Sequence, residues 1–367
     1  MIPFHDLRPV HEHLQSELVE ATQRVLASGW YVLGPEVERF ELQIADVVGV
    51  TQAVGVANGT DAIELGLRAL GVSPGAEVIT VAHTAIPTVA AIERAGGRPV
   101  FVDIDQSTYT LDPAALAGAI TSRTEAIVPV HLYGHPVDMT AVMDLARRHQ
   151  LAVVEDCAQA LGAKHDGRPV GSFGHAAALS FYPTKTLGAC GDAGAVATGD
   201  AEVADRVRRL RAYGQRRRDE CFERGINSRL DELQAALLSV KLEHLPGDRA
   251  CREQLAAIYN TSLQGVVTPP IDTRAQHAHC LYVVRHPHRD RLRAALDSQQ
   301  IETLVHYPRP VHLQPAYEDL GYQLGTLPVT EAAANEVLSL PLYWGLTAED
   351  VRRVTQVMND CLSGVGA

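Results

Sequence analysis

The sequence predicts an α/β protein, a large domain with a mostly parallel sheet flanked by helices, followed by a smaller C-terminal α+β domain. Two observations predict it. Between residues 53 and 155, short apolar runs alternate with stretches of helical length and pattern, the signature of βαβ units whose sheet is covered on both faces. Beyond about residue 250, one strong apolar run stands among helical patterns. The 367 residues are enough for two domains and a large core. The division is placed at 1–248 and 249–367.

A Pro-bounded arm opens the chain. Leu14, Leu18, Ala21 and Val25 then mark a helix, and a Gly-bounded loop leads into another over Glu36 to Val47. Strands are expected at 53–56, 77–82, 99–103, 126–132 and 151–155. Helices are expected between them at 61–70, 84–95, 113–120 and 139–149. Two more apolar runs, Ala176 to Phe181 and one ending at Val196, flank a Pro-Thr-Lys turn and a loop broken by Gly188, Gly191 and Gly194. Helices follow at 201–211 and 230–243, and a new helical stretch begins near His244. The second domain holds a strand at 279–284 and helices near 290–298, 330–338 and 347–361.

Composition narrows the function. The net charge of −12 argues against nucleic-acid binding, which shows a basic excess. No apolar run is long enough to span a bilayer, and the polar opening MIPFHDLRPVHEHL lacks a signal-peptide core. A cytoplasmic protein is expected. Six cysteines without C-x-x-C spacing suggest neither a disulfide framework nor structural zinc, so no metal is expected. No G-x-G-x-x-G follows any expected strand, which removes a nicotinamide dehydrogenase.

Lysine is scarce: Lys164, Lys185 and Lys241 only, the other basic residues being arginine. Lys185 sits between an apolar strand and a glycine-rich loop. Arginine stays protonated, whereas a desolvated lysine can lose its proton and act as a nucleophilic amine. Two further motifs fall at strand ends, where open parallel sheets bind ligands. Asn58-Gly59-Thr60-Asp61 joins a strand to a helix and forms an anion site, or an ordinary helix cap. Glu155-Asp156 closes a strand and could hold a protonated ring nitrogen or a metal ion, or simply cap a helix. Ser180, five residues before Lys185, could bind an anion. A phosphate site, a carboxylate for a heterocyclic nitrogen and a lysine amine together are what pyridoxal 5'-phosphate needs.

With these residues in place, the sequence resembles the DegT/DnrJ/EryC1/StrS sugar aminotransferases, within the PLP-dependent transferase fold type I of aspartate aminotransferase. The matching motifs are SGWYVLGPE (28–36), NGTDAIEL (58–65), VEDCAQALGA (154–163), SFYPTKTLGACGDAGAV (180–196), NSRLDELQAALL (227–238) and HYPRPVHLQPAY (306–317). The resemblance implies a homodimer whose active site is shared between subunits. It implies that Lys185 forms the Schiff base with the cofactor and moves the proton between substrate and cofactor carbons. Asp156 would pair with the pyridine nitrogen, and Gln159 would lie near the cofactor's hydroxyl. Gly59, Thr60 and Ser180 would bind the phosphate, and Asn227 would reach the phosphate of the other subunit. Many members carry an aromatic residue where this chain has Ala85, so His83 becomes the candidate ring to stack on the cofactor. Thr186 and Ala193 replace an Asn and a Gly common in the family turn.

The implied reaction moves an amino group from an amino acid, with glutamate expected, to a keto-6-deoxyhexose on a nucleoside diphosphate. The motifs SGWYVLGPE and HYPRPVHLQPAY look most like members acting at carbon 3 of thymidine-diphosphate (dTDP) sugars, as in antibiotic or surface deoxyamino sugar biosynthesis. Carbon 4 of the sugar, a cyclitol ketone and aminohydroxybenzoate synthesis are the alternatives, with a cofactor-binding sensor as the non-enzymatic one. Tyr182, His306, Tyr307 and His312 are the candidate substrate residues, and Arg216 to Arg218 a candidate diphosphate contact.

Overall fold

In the computed structural model, residues 1–217 and 219–364 are described. Helices α1 (Arg8–His13) and α2 (Gln15–Ser28) form an N-terminal arm. Helix α3 (Pro35–Val48) starts where Pro35 fits the first helical position, with Glu36 and Glu38 in the first turn. It stops at Gly49, whose φ of 77° is the left-handed conformation glycine adopts without strain. Then come β1 (Gln52–Val56), α4 (Gly59–Ala69), β2 (Glu77–Val81), α5 (Ile86–Arg94), β3 (Arg98–Val102), α6 (Pro113–Ala119), β4 (Thr124–Ile127), α7 (Met139–His149) and β5 (Ala152–Asp156). Strands β6 (Lys164–His165) and β7 (Arg168–Pro169) form a small hairpin, followed by β8 (Ala176–Ser180), β9 (Gly194–Thr198) and α8 (Ala201–Leu210).

The main sheet has seven strands in the order β1-β9-β8-β5-β4-β2-β3. The pairs among β8, β5, β4, β2 and β3 are parallel. Strand β9 runs antiparallel to both neighbours, β1 and β8. One face packs against α4 and α8 through Val54, Leu65, Val154, Val196 and Val207. The other packs against α3 and the long helix below through Phe40, Ile44, Leu179 and Leu238. The expected α/β architecture is therefore the observed one.

Three expected elements end differently. The strand expected over 126–132 stops at Ile127, and a 3₁₀ turn at Leu132–Gly134 follows. There Tyr133 has a φ of 62° and turns the chain back toward β5. After a short β10–β11 hairpin (Gln215–Arg217, Glu220–Cys221), α9 runs unbroken from Glu232 to Ser262. The helix expected to end at 243 thus carries straight through Pro246 and through the proposed division at 248. A mid-helix proline costs about 3 kcal/mol, but both halves of α9 are buried. Ala235 and Leu238 lie in the sheet's core, and Leu255, Ala256 and Tyr259 in the C-terminal one. That second core holds β13 (Tyr282–Arg285), α10 (Arg289–Ser298), β14 (Val337–Leu340) and α12 (Ala348–Ser363). Strand β12 (Ala275–Gln276) extends the β6–β7 hairpin, and α11 (Pro328–Glu336) precedes β14. Residues 337 and 338, expected to be helical, pair with β13 as strand, because Val337 and Leu338 bury apolar side chains there.

Glu155 explains why β5 and the loop after β7 hold together. It is fully buried. Its Oε1 accepts from the Phe173 and Gly174 amides at 2.8 and 2.7 Å, and Oε2 from the Gly171 amide at 2.7 Å. His131 accepts from the Val137 amide at Nδ1, so its Nε2–H donates to Glu155 at 3.1 Å. Cys157 completes a buried His-Glu-Cys trio, yet the His and Glu atoms already have partners. Glu155→Gln places an amide nitrogen against one set of these donors. It is expected to cost about 3 kcal/mol and to lower Tm by about 4 °C by calorimetry; an unchanged Tm would contradict this role.

Candidate active site

Four loops converge at the carboxyl ends of β1, β5 and β8. After β1, Asn58 adopts extended backbone and caps α4, its side chain accepting from the Asp61 amide at 2.8 Å. The first-turn amides of Gly59 and Thr60 have no acceptor within the helix and, with its positive dipole end, form an anion seat. A Cβ on Gly59 would lie 2.7 Å from the Ser180 Cβ and 3.2 Å from its Oγ. Glycine is thus required for the helix start to meet the end of β8. Gly194 serves the same approach from β9, where a Cβ would strike the Asn58 carbonyl.

Asp156 ends β5 and is buried. Its Oδ2 accepts from the Thr88 hydroxyl of α5 at 2.8 Å, and its Oδ1 from the Ala158 amide at 3.1 Å. Thr84 supports Thr88 at 2.9 Å. Each carboxylate oxygen keeps a lone pair for a further donor. Gln159, one turn on, accepts from the Tyr133 amide at 2.7 Å and donates through Nε2 to the Tyr307 hydroxyl at 3.1 Å. Burial pushes the Tyr307 phenol well above its usual pKa.

Lys185 rides a tight turn. Its amide bonds the Tyr182 carbonyl and the Ala189 amide bonds the Phe181 carbonyl, both at 2.8 Å. A side chain at Gly188 would run into the Pro183 carbonyl, so only glycine closes this loop. His306, on the C-terminal lobe, faces Lys185. Burial, with the Lys185 charge second, pulls its pKa down to about 4. The imidazole is therefore neutral near pH 7, its Nδ1 2.8 Å from the Ser339 hydroxyl.

The family model for DegT/DnrJ/EryC1/StrS aminotransferases matches residues 12–359. The chain belongs to the DegT/DnrJ/EryC1/StrS aminotransferase family. It is 47% identical to dTDP-3-amino-3,4,6-trideoxy-alpha-D-glucose transaminase of Streptomyces venezuelae, over 98% of this chain and 96% of that one. It is 50% identical to the erythromycin biosynthesis sensory transduction protein EryC1 of Saccharopolyspora erythraea, over 93% and 94%. Among solved structures, S. venezuelae DesV in complex with a ketimine intermediate superposes with a TM-score of 0.96 at 46% identity, covering 98% of both chains. As a DegT/DnrJ/EryC1/StrS member, the protein is a pyridoxal-phosphate-dependent aminotransferase.

The residues present fit that cofactor. The amide seat and Ser180 suit a phosphate, and Asp156 offers a buried carboxylate at a distance from it. Lys185 follows β8 on its glycine-closed turn, with His306 facing it. Two family-derived expectations fare otherwise. His83 is fully enclosed, edge-on to Tyr133, with Nε2 2.8 Å from the Tyr133 hydroxyl. Burial pulls its pKa to about 4. It offers no open face for a ring to stack on; the half-exposed residues at that point are Ala85 and Ile86, which carry no ring. His312 is also enclosed. It packs on Phe101 and Tyr322 and pairs with Glu331 at 3.2 Å, away from Lys185's neighbours. Asn227 is exposed, as is Tyr182. Arg216 and Arg217 are exposed on β10, and Arg218 lies outside the described residues. Thr88 and Tyr133 were not anticipated. Thr88's only sequence signal was a hydroxyl on the buried face of α5.

Proposed function

We propose that the protein transfers the amino group of glutamate to carbon 3 of a dTDP-linked keto-6-deoxyhexose. What carries this reading is Lys185 at the apex of a glycine-closed turn and faced by neutral His306, in a fold that also sets the Asp156 carboxylate and the Gly59–Ser180 seat at strand ends. The carbon and the carrier are supported by relatives named as 3-amino dTDP-sugar transaminases.

When bound, pyridoxal phosphate supplies an electron-withdrawing ring that stabilises negative charge on the substrate carbon. The chain's residues supply the rest. Lys185 would hold the cofactor and, as a free amine, would take and return the proton at the reacting carbons. Asp156, fixed by Thr88 and Ala158, would pair with the ring nitrogen and keep it protonated. Gly59, Thr60 and Ser180 would seat the phosphate, and Gln159 would lie near the ring hydroxyl. Tyr182, His306 and Tyr307 line the sugar's side; we leave His83 and His312 out of this set. We assign residues 1–248 and 249–367 to two domains that share α9.

The active unit is a homodimer in this reading. Trp30, Tyr31, Tyr182, Tyr213 and Phe222 are all exposed aromatics, more than a free protomer needs to leave in water. Asn227, also exposed, would extend to the partner's phosphate. No described helix is long and apolar enough to cross a membrane, in keeping with a cytoplasmic site of action.

The deciding assay offers glutamate with dTDP-3-keto- or dTDP-4-keto-6-deoxyhexose and detects the amino sugar by mass spectrometry. Carbon-3 amination is expected to exceed carbon-4 amination by about 100-fold or more in kcat/KM. Amination of the 4-keto sugar alone would assign the protein to carbon 4. No amination, and no response of the bound cofactor to any amino donor, would favour a cofactor-binding sensor.

A further inference from the structure

Lys185 is not the only lysine with a defined place. Lys241, on α9, is 8% exposed. Its Nζ donates to the Gly188 carbonyl at 2.7 Å and to His11 Nε2 at 3.0 Å. The Cys190 sulfur lies 3.9 Å away, in the third direction. Gly188 and Cys190 belong to the returning limb of the Lys185 turn, and His11 to α1. Lys185, Thr186, Gly188 and Lys241 border one cavity that His5, Leu7 and Val10 of the arm help to close. Burial lowers the pKa of Lys241, and burial together with the Lys241 charge lowers that of His11. His11 is thus disposed to accept, which is what an ammonium group requires of it.

We propose that Lys241 is a positioning residue for Lys185, tying the returning limb of the catalytic turn to α9 and, through His11, to the N-terminal arm. This rests on the catalytic role proposed above for Lys185. The turn has few other restraints on that limb: the Ala189 amide bonds the Phe181 carbonyl, and the Cys190 amide bonds the Gln234 side chain at 2.9 Å. The carbonyl of Gly188, three residues past Lys185, takes the Lys241 bond. A compact ammonium directs donors at acceptors on two different segments from one atom. A guanidinium is a planar fork and needs more room than the 2.7 and 3.0 Å contacts leave. This gives Lys241, like Lys185, a reason to be lysine in a chain that otherwise uses arginine.

The test uses full-length protein loaded with pyridoxal phosphate: wild type, Lys241→Met, Lys241→Arg and His11→Ala. Visible circular dichroism reports the setting of the lysine-bound cofactor, and stopped-flow absorbance reports the first half-reaction at saturating glutamate. Thermal melts run alongside. A displacement of the lysine by a fraction of an ångström to 1 Å predicts about 100-fold slower bleaching in Lys241→Met, with an altered dichroic band and no rescue by Lys241→Arg. His11→Ala, which keeps the ammonium on Gly188, is expected to slow the step about 10-fold. It also serves if Lys241→Met fails to fold. Wild-type rate and dichroism in Lys241→Met, whatever its Tm, overturn the proposal. So does a wild-type rate in His11→Ala when the methionine variant does not fold. Wild type that glutamate fails to bleach sinks the aminotransferase function first, and this role with it.

Discussion

Lys185→Ala is expected to lower kcat for amino transfer by roughly five orders of magnitude, with no visible Schiff-base band. The effect is this large because one amine does two tasks, holding the cofactor and moving the proton. No other lysine can substitute. The Lys241 ammonium is committed to Gly188 and His11, and Lys164 lies on the β6–β7 hairpin. The decisive comparison is absorbance with pyridoxal phosphate before and after glutamate, wild type beside the variant. A band that glutamate bleaches in wild type, absent from Lys185→Ala, is the expected outcome. A variant that turns over at even a hundredth of the wild-type rate would remove Lys185 from the chemistry.

Asp156→Asn is the second large loss, about 10²–10³-fold in kcat. An asparagine keeps the shape and can still accept from Thr88. Its neutral amide no longer stabilises a proton on the ring nitrogen, so the ring draws off charge less well. Thr88 and Ala158 hold the native carboxylate at 2.8 and 3.1 Å, so its direction is set before any ligand arrives. Cofactor affinity and the glutamate half-reaction, measured separately, should show a modest loss in the first and the main loss in the second. Equal rates for variant and wild type would show that the ring nitrogen finds its charge elsewhere.

The alternation of strands and helices was legible because apolar period and glycine–proline punctuation report local structure directly. Met139–His149 was expected with the bounds observed. The errors fall where tertiary contacts decide. The helix expected to end at 243 continues instead through Pro246, because two cores bury both halves of α9. Val337 and Leu338 look like any helix end until β13 lies beside them. The motif residues Gly59, Asp156, Ser180 and Lys185 drew notice because they sit at or just beyond strand ends. Supporting groups such as Thr88, Tyr133 and Lys241 could not, since each acts across a sequence gap. Lys241 meets Gly188 from 53 positions away. His83 and His312 show the converse. Both are polar residues near expected site positions, and the surrounding Tyr133, Phe101 and Glu331 enclose them.

The place of β9 governs how the chain can be assembled as it is synthesised. Strand β1 touches the sheet through β9 alone, and Val54 meets Val196 about 140 residues later. Until the ribosome has released that segment, β1 has no edge to pair with and the loop bearing Gly59 cannot meet Ser180. A nascent chain halted before β9 would leave the apolar strand Gln52–Val56 without its partner, a target for chaperones. The phosphate seat is therefore among the last parts of the large domain to become competent, and arrested chains should gain cofactor affinity in a single late step.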